Sequence, residues 1–205
     1  MGFGYPVVPP RPHDRGGCGL IVYFDKPHVS GRRVTRLPDP LPYKIAVLCY
    51  LFDQQGRVLL LHRVRPPNED LYSPIGGKLE QDIGESPTTC AIREIKEEAG
   101  LTVSASELHL TGIVSESGFE DECHWLMYLY EVTHPVEVAP GPIDEGRLEW
   151  HAPDAIQDLS IPQTDREVIW PCFWRYRKKF FMAHIDCQSD ILRWRIEQPA
   201  DNAGA

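Results

Sequence analysis

The chain has no apolar run approaching the ~20 residues that a membrane-spanning helix needs. Its longest, residues 45–52, has the length of a strand. No basic region followed by an apolar stretch opens the sequence, since Met1-Gly2-Phe3-Gly4-Tyr5-Pro6 offers neither. A cytoplasmic protein without a membrane partner is therefore expected. Positive charge is scarce: 21 Lys and Arg stand against 30 Asp and Glu, a net charge of −9. That balance excludes the basic footprint of a general nucleic-acid binder. The six cysteines (18, 49, 90, 123, 172 and 187) show no C-x-x-C spacing. Several sit in apolar surroundings such as Val47-Leu48-Cys49-Tyr50, so reduced and mostly buried thiols are expected, with no disulfide or zinc framework. The phosphate loop G-x-x-x-x-G-K-[ST] is missing, as is any Ser–His–Asp arrangement. An acidic protein can still bind a polyphosphate if metal ions bridge the two negative partners.

The 205 residues are enough for one good core with appendages, and the apolar fraction of 42% is ordinary. Residues 1–42 are rich in Pro, Gly and Arg, with one strand candidate at 20–24, and read as an N-terminal extension. A domain is expected over 43–178. It opens with a buried strand at 43–52, a turn at Asp53-Gln54-Gln55-Gly56 and a second strand at 58–63. Residues 71–75 are short and extended. The clearest helix starts at the cap Ser86, has Pro87 at its first position and stops at Gly100. Ala91, Ile95 and Ala99 give it an apolar stripe. Strands follow at 108–115, 124–132 and 148–151. A helix is expected over 165–176, kinked at Pro171. Residues 179–205 read as a C-terminal hairpin and tail, turning at Gln188-Ser189-Asp190. Strands and helices mix without regular alternation, so the fold class is α+β.

Chemistry concentrates in Gly76-Gly77-Lys78-Leu79-Glu80-Gln81-Asp82-Ile83-Gly84-Glu85 and the helix after it. Glu94, Glu97 and Glu98, at i, i+3 and i+4, crowd one stripe of that helix and repel one another. Arg93, four residues before Glu97, offsets part of the repulsion. A hard divalent cation would turn the repulsion into a binding site and keep waters that phosphates can replace.

Glu85, seven intervening residues and then Arg93-Glu94-Ile95-Lys96-Glu97-Glu98-Ala99-Gly100-Leu101 resembles the Nudix box, G-x5-E-x7-R-E-U-x-E-E-x-G-U, with U a bulky apolar residue. The departure is upstream: seven residues separate Gly77 from Glu85 where the family has five. The resemblance implies a Nudix-type α/β/α sandwich with a mixed β-sheet. It also implies a Mg²⁺-dependent hydrolase of a diphosphate linkage, with Mn²⁺ as a substitute. Carried onto this chain, Glu97 and Glu98 are the principal metal ligands. Glu94 is a further ligand or the general base, and Gly76 or Gly77 lends a backbone carbonyl. Arg93 orients Glu94 or Glu97, and Glu85 anchors the loop. In similar triphosphate-cleaving members an acidic residue in an E-G-x-x-x-W-like stretch supplies another ligand, which singles out Glu145 before Trp150. Glu120, Asp121 and Glu122 form a rival acidic loop.

The substrate that this resemblance implies is a (d)NTP, an oxidised purine such as 8-oxo-dGTP included, split to monophosphate and pyrophosphate. ADP-ribose or a nucleotide sugar is the runner-up. A Nudix fold used only as a ligand-binding or regulatory module, and an isomerase of the isopentenyl-diphosphate type, are the readings outside hydrolysis. Trp150, Phe119 and Trp125 could stack on a base, though strand aromatics are more often core. His124 is expected at an exposed strand end, and the run 175–179 as the polar end of a helix. Met182, Ile185, Leu192, Trp194 and Ile196 give the last hairpin apolar surface for a core cap or a homodimer contact.

Overall fold

The computed structural model describes residues 40–66, 68–189 and 191–199. The strand candidate at 20–24 and the rest of the N-terminal extension through residue 39 lie outside them. Two sheets form. The first strand, β1 (Tyr43–Tyr50), leads through a turn into β2 (Val58–Arg63), and β3 (Tyr72–Pro74) folds back on β2. Helix α1 (Pro87–Ala99) follows. Then come the long hairpin β4 (Leu108–Phe119) and β5 (Cys123–Val132) and the short hairpin β6 (Gly141–Ile143) and β7 (Gly146–His151). Helix α2 (Trp170–Tyr176) precedes the last pair, β8 (Phe181–Asp186) and β9 (Arg193–Gln198). Strands order β1-β5-β4-β8-β9 in one sheet and β3-β2-β7-β6 in the other. The first is mixed: β1 runs parallel to β5 and β4 parallel to β8, while β4–β5 and β8–β9 are antiparallel.

Successive side chains of a strand point to opposite faces, so a strand buried on both sides reads as an unbroken apolar run. β1 and β2 do this. Ala46 and Tyr50 of β1, with Val58 and Leu60 of β2, join one apolar cluster that Val168, Ile169, Trp170 and Phe173 close. Val47 and Cys49, with Leu59 and Leu61, join a second cluster that Cys90, Ala91 and Ile95 of α1 close. The strands are thus a middle layer between two helices, the α/β/α arrangement that the motif resemblance implied. Cys49, Cys90, Cys123 and Cys172 are buried free thiols and Cys187 is half-buried.

The helix expected over 165–176 is two pieces. Residues Asp165–Ile169 form a π-helical turn and α2 starts at Trp170, with Pro171 in its first turn. Proline has no N–H to donate to the carbonyl four residues back, so the chain widens ahead of it and Trp170 N donates to Asp165 O instead. β6 was not expected; it is short and pairs only across Pro142 to β7. The C-terminal hairpin is part of the main sheet. β8 lies alongside β4, and Phe181 packs against Gly112 so closely that a Cβ there would meet its ring at 2.5 Å.

Phe181 is fully buried among Val114, Phe173 and Ile185. Phe181→Ala is expected to cost about 3–5 kcal/mol of stability. Urea unfolding checks it, through a lowered midpoint at unchanged slope.

Candidate active site

α1 begins where Ser86 Oγ accepts the Thr89 N–H at 3.2 Å and ends where Gly100 turns left-handed. Its apolar stripe turns Ala91 and Ile95 inward and draws Glu94 and Glu98, one turn apart, into partial shelter beside them. Glu97 stays outward, its side chain 58% exposed. Burial pushes the Glu98 carboxyl up to about 8, against the lowering effect of the Gly76 N–H, which donates to Oε2 at 2.7 Å. Burial raises Glu94 as well, opposed by Arg93.

Arg93 joins the acidic groups. Its Nε and one terminal nitrogen grip both oxygens of Glu85 at 2.9 Å, while the other terminal nitrogen reaches Glu94 at 2.7 Å and Glu97 at 3.1 Å. The bidentate grip holds Glu85 down to about 2. The guanidinium also donates to the Lys78 carbonyl, so one side chain ties the loop to the helix.

The loop Ile75-Gly76-Gly77 is laced onto β1 by Cys49 N to Ile75 O at 2.7 Å and Val47 N to Gly77 O at 2.9 Å. Side chains are excluded from it. A Cβ at Gly76 would lie 2.2 Å from Val47 O, and one at Gly77 would lie 2.2 Å from Glu94 Oε1. The Gly77 carbonyl accepts from Val47 N and lies by the Cys90 thiol, and the absent side chain leaves room for the Glu94 carboxylate. The two extra residues of the loop form a single exposed turn at Gln81–Ile83, closed by Gly84 in the left-handed region. The chain returns so that Glu80 N donates to Glu85 at 2.9 Å. The insertion bulges outward and leaves the helix in register.

A cavity of about 330 Å³ opens beside these groups. One end is lined by Gly76, Gly77, Lys78 and Glu94, with Arg63 and Glu145 at the rim. Glu145 pairs with Arg63 at 3.1 Å, held there by the tight β6–β7 turn, in which Gly146 leaves no room for a Cβ beside His62 O. Glu145 is also close enough to raise Glu94 and Glu98. The other end is lined by Trp125, Met127, Phe119, Glu116, Thr164 and Asp165. Glu116 and Phe119 both line it because a bulge between them breaks the alternation of β4.

Among the other residues singled out from sequence, Glu120, Asp121 and Glu122 turn between β4 and β5 and do not line this cavity. Trp150 is packed with the α1 cluster and donates to Val138 O at 2.9 Å, so it is not a stacking surface here. His124 accepts the Gly118 N–H at 3.0 Å. Arg177 lies over Phe52 and pairs with buried Glu131 at 2.7 Å.

Glu116 and Asp165 are additions that sequence reasoning missed. Both are buried, at 3% and 7% exposure. Burial raises both carboxyls, and Glu116 raises Asp165 further. The available signal was Glu116, an acid at an inward position of a strand.

Among the described residues no three acidic, imidazole or thiol groups are already drawn into a metal cage. Arg93 holds Glu94 and Glu97, Gly76 holds Glu98, and Arg63 holds Glu145. The donor set nonetheless fits a hard cation. Glu98 Oε1 is buried without a hydrogen-bond partner, and three sheltered or clustered carboxylates share one cation among them.

Comparison with known proteins agrees with the geometry. The family model of the NUDIX domain matches residues 42–170. A Bacillus subtilis (strain 168) protein provisionally named 8-oxo-dGTP diphosphatase is 28% identical over 126 residues, 62% of this chain and 78% of its own. The Nudix hydrolase YvcI of the same organism is 27% identical over 114 residues, 55% of this chain and 69% of its own. The crystal structure of a MutT protein from Bacillus halodurans superposes with a TM-score of 0.60 at 26% identity, covering 75% of this chain and 97% of that one. With the glutamate helix, its glycine loop and the three-layer fold all accounted for, the chain belongs to the Nudix family and is a Nudix hydrolase.

Proposed function

We propose that the protein hydrolyses a nucleoside triphosphate, oxidised purines included, at a diphosphate bridge, giving a monophosphate and pyrophosphate with Mg²⁺. The observation that carries this reading is the single cavity that joins the glutamate helix to an aromatic wall backed by two buried acids. A triphosphate at the helix end and a base at the aromatic end would fill both. Likeness to the relative named for 8-oxo-dGTP supports the choice of substrate class.

Glu97 and Glu98 would hold the cation, with Glu145 closing from the opposite rim and Glu94 serving as the base. When bound, it supplies Lewis acidity to the phosphate oxygens and to the attacking water. The chain's own residues do the rest. Arg93 keeps one oxygen of Glu94 occupied, leaving the other to take a proton from water at the carboxylate. Arg63 and Lys78 put positive charge where phosphates enter. Lys44 and Lys78 lie over the Trp125 ring at 5.4 and 5.9 Å, so a base that reached this ring would share it with them.

Glu97→Gln and Glu98→Gln are each expected to cut turnover about a thousandfold or more, since several kcal/mol of transition-state stabilisation is lost. Metal-free thermal stability should hold or rise, because Glu97→Gln removes a like charge from α1 and Glu98→Gln removes an acid whose ionisation burial opposes. Kinetics and melting curves on the same preparations check both, and near-normal turnover in both variants would sink the mechanism.

Attack at a diphosphate bridge leaves label from ¹⁸O-water in a diphosphate-derived product. Turning over a panel of nucleotides in that solvent tests the reaction type. Label confined to orthophosphate released from a monoester contradicts it.

Glu145→Ala should lower turnover and raise the Mg²⁺ concentration needed, whereas Glu120→Ala and Glu122→Ala should matter much less. A metal titration of the three variants decides. An exchange of behaviour between the two groups would make Glu145 a surface turn residue and remove support for a triphosphate.

A further inference from the structure

Of the five tryptophans only Trp125 lines the cavity, and it is half-buried there. Two ammonium groups lie over its ring, that of Lys44 at 5.4 Å and that of Lys78 at 5.9 Å from its centre. The two lysines are placed differently. Lys44 is the register partner of Trp125 across β1 and β5 and lies outside the cavity lining. Lys78 lines the cavity, is exposed, and follows Gly77 directly in the loop that meets the glutamate helix. Its backbone is fixed. It bridges to Ala46, with Val47 N donating to Gly77 O at 2.9 Å on one side and Leu79 N to Ile45 O at 3.0 Å on the other. Its carbonyl accepts from Arg93. Only the four-carbon stem is left to move, and an ammonium on such a stem can serve two places in turn.

We propose that Lys78 is a specificity-determining residue that makes base binding depend on phosphate: in the empty cavity its ammonium occupies the Trp125 ring, and a polyphosphate draws it off and uncovers the ring for the base. The proposal rests on the reading that the cavity takes a nucleoside triphosphate.

The strengths of the competing contacts set the direction of the exchange. An exposed ammonium over an indole shifts an equilibrium by about two- to fivefold. A phosphate offers the same ammonium a full opposite charge and a charge-assisted hydrogen bond, so the ammonium moves toward phosphate. A base stacks on an aromatic ring more strongly than the ammonium does, so a base alone still displaces Lys78, but at a loss. With phosphate bound that loss is gone. Phosphate and base therefore favour each other while touching opposite ends of the cavity, and the effect is reciprocal. A ligand that carries both groups is preferred over one that carries the base alone.

The test uses the full chain with Mg²⁺ and two probes, inorganic pyrophosphate and 2′-deoxyguanosine. The nucleoside is neutral, so no direct attraction between the probes enters. Equilibrium dialysis gives its dissociation constant without and with saturating pyrophosphate. In the wild-type protein pyrophosphate should tighten the nucleoside about two- to fivefold. Lys78→Gln should bind the nucleoside alone as tightly as the wild type binds it with pyrophosphate, and should gain nothing further. A lysine that only attracts phosphate would leave nucleoside binding unimproved in that variant. Lys44→Gln should keep the gain. Tryptophan emission gives a readout free of any base: pyrophosphate alone should change it in the wild type, but in neither Lys78→Gln nor Trp125→Phe. Equal nucleoside affinity with and without pyrophosphate in the wild type, or unimproved affinity in folded Lys78→Gln, overturns the role of Lys78 and leaves the substrate reading standing. No saturable nucleoside binding in any form, with pyrophosphate or without it, overturns both.

Discussion

The guanidinium of Arg93 sits among carboxylates that would otherwise repel. It grips Glu85 with two bonds, reaches Glu94 and Glu97 with a third donor, and touches the loop at Lys78 O. Without that charge the glutamate face of α1 would carry uncompensated like-charge contacts beside an apolar core. With it, the loop before the helix has a fixed exit, Glu85 to Glu80 closes the turn, and Ile75-Gly76-Gly77 can lie flat against β1. The order matters physically. The core orients the helix, the helix presents the acids, and Arg93 decides which oxygens are held and which are left for a ligand.

A second constraint lies in the middle layer. Because β1 and β2 are buried on both faces, the apolar clusters under α1 and under α2 share the same strands. The cavity is lined from both sides of that layer, by Glu94 of α1 and by Thr164 and Asp165 ahead of α2. Displacing either helix would shift one end of the cavity relative to the other. A rigid spacing between two subsites is what a long, charged substrate requires.

Much of this was legible in the residues. Ser86, Pro87 and Gly100 mark the helix within one residue, because capping is local chemistry. The glutamates and Arg93 carry their spacing openly. The π-helical turn at Asp165 was legible only as a kink, since Pro171 announces a missing bond without saying how the chain absorbs it. Glu116 and Asp165 stayed hidden for a different reason. They come from β4 and from the π-helical turn at Asp165–Ile169, far apart in sequence, and the inward place of Glu116 on its strand marks burial without saying that a cavity lies there. Trp150 is packed against the core, as strand aromatics more often are, and the β6–β7 hairpin turns its N–H toward Val138 O.

The five-stranded sheet has two unlike borders. At β1 the backbone continues into the glycine loop through bridges from Ala46 to Lys78 and from Cys49 to Ile75, so that border is closed. At β9 it is open among the described residues, and Trp194 stands 49% exposed on it. An open border is a template on which another chain can add a strand. Arg193, Arg195 and Glu197 make it an uninviting one, with Arg195 and Glu197 paired at 2.6 Å. The strand that guards this border is hydrogen-bonded to β8, in which Ile185 pairs with Glu116 of β4. Whatever grips the rim of the sheet, in a concentrated solution or on a partner, therefore pulls on the strand that carries Glu116, two places in from the edge.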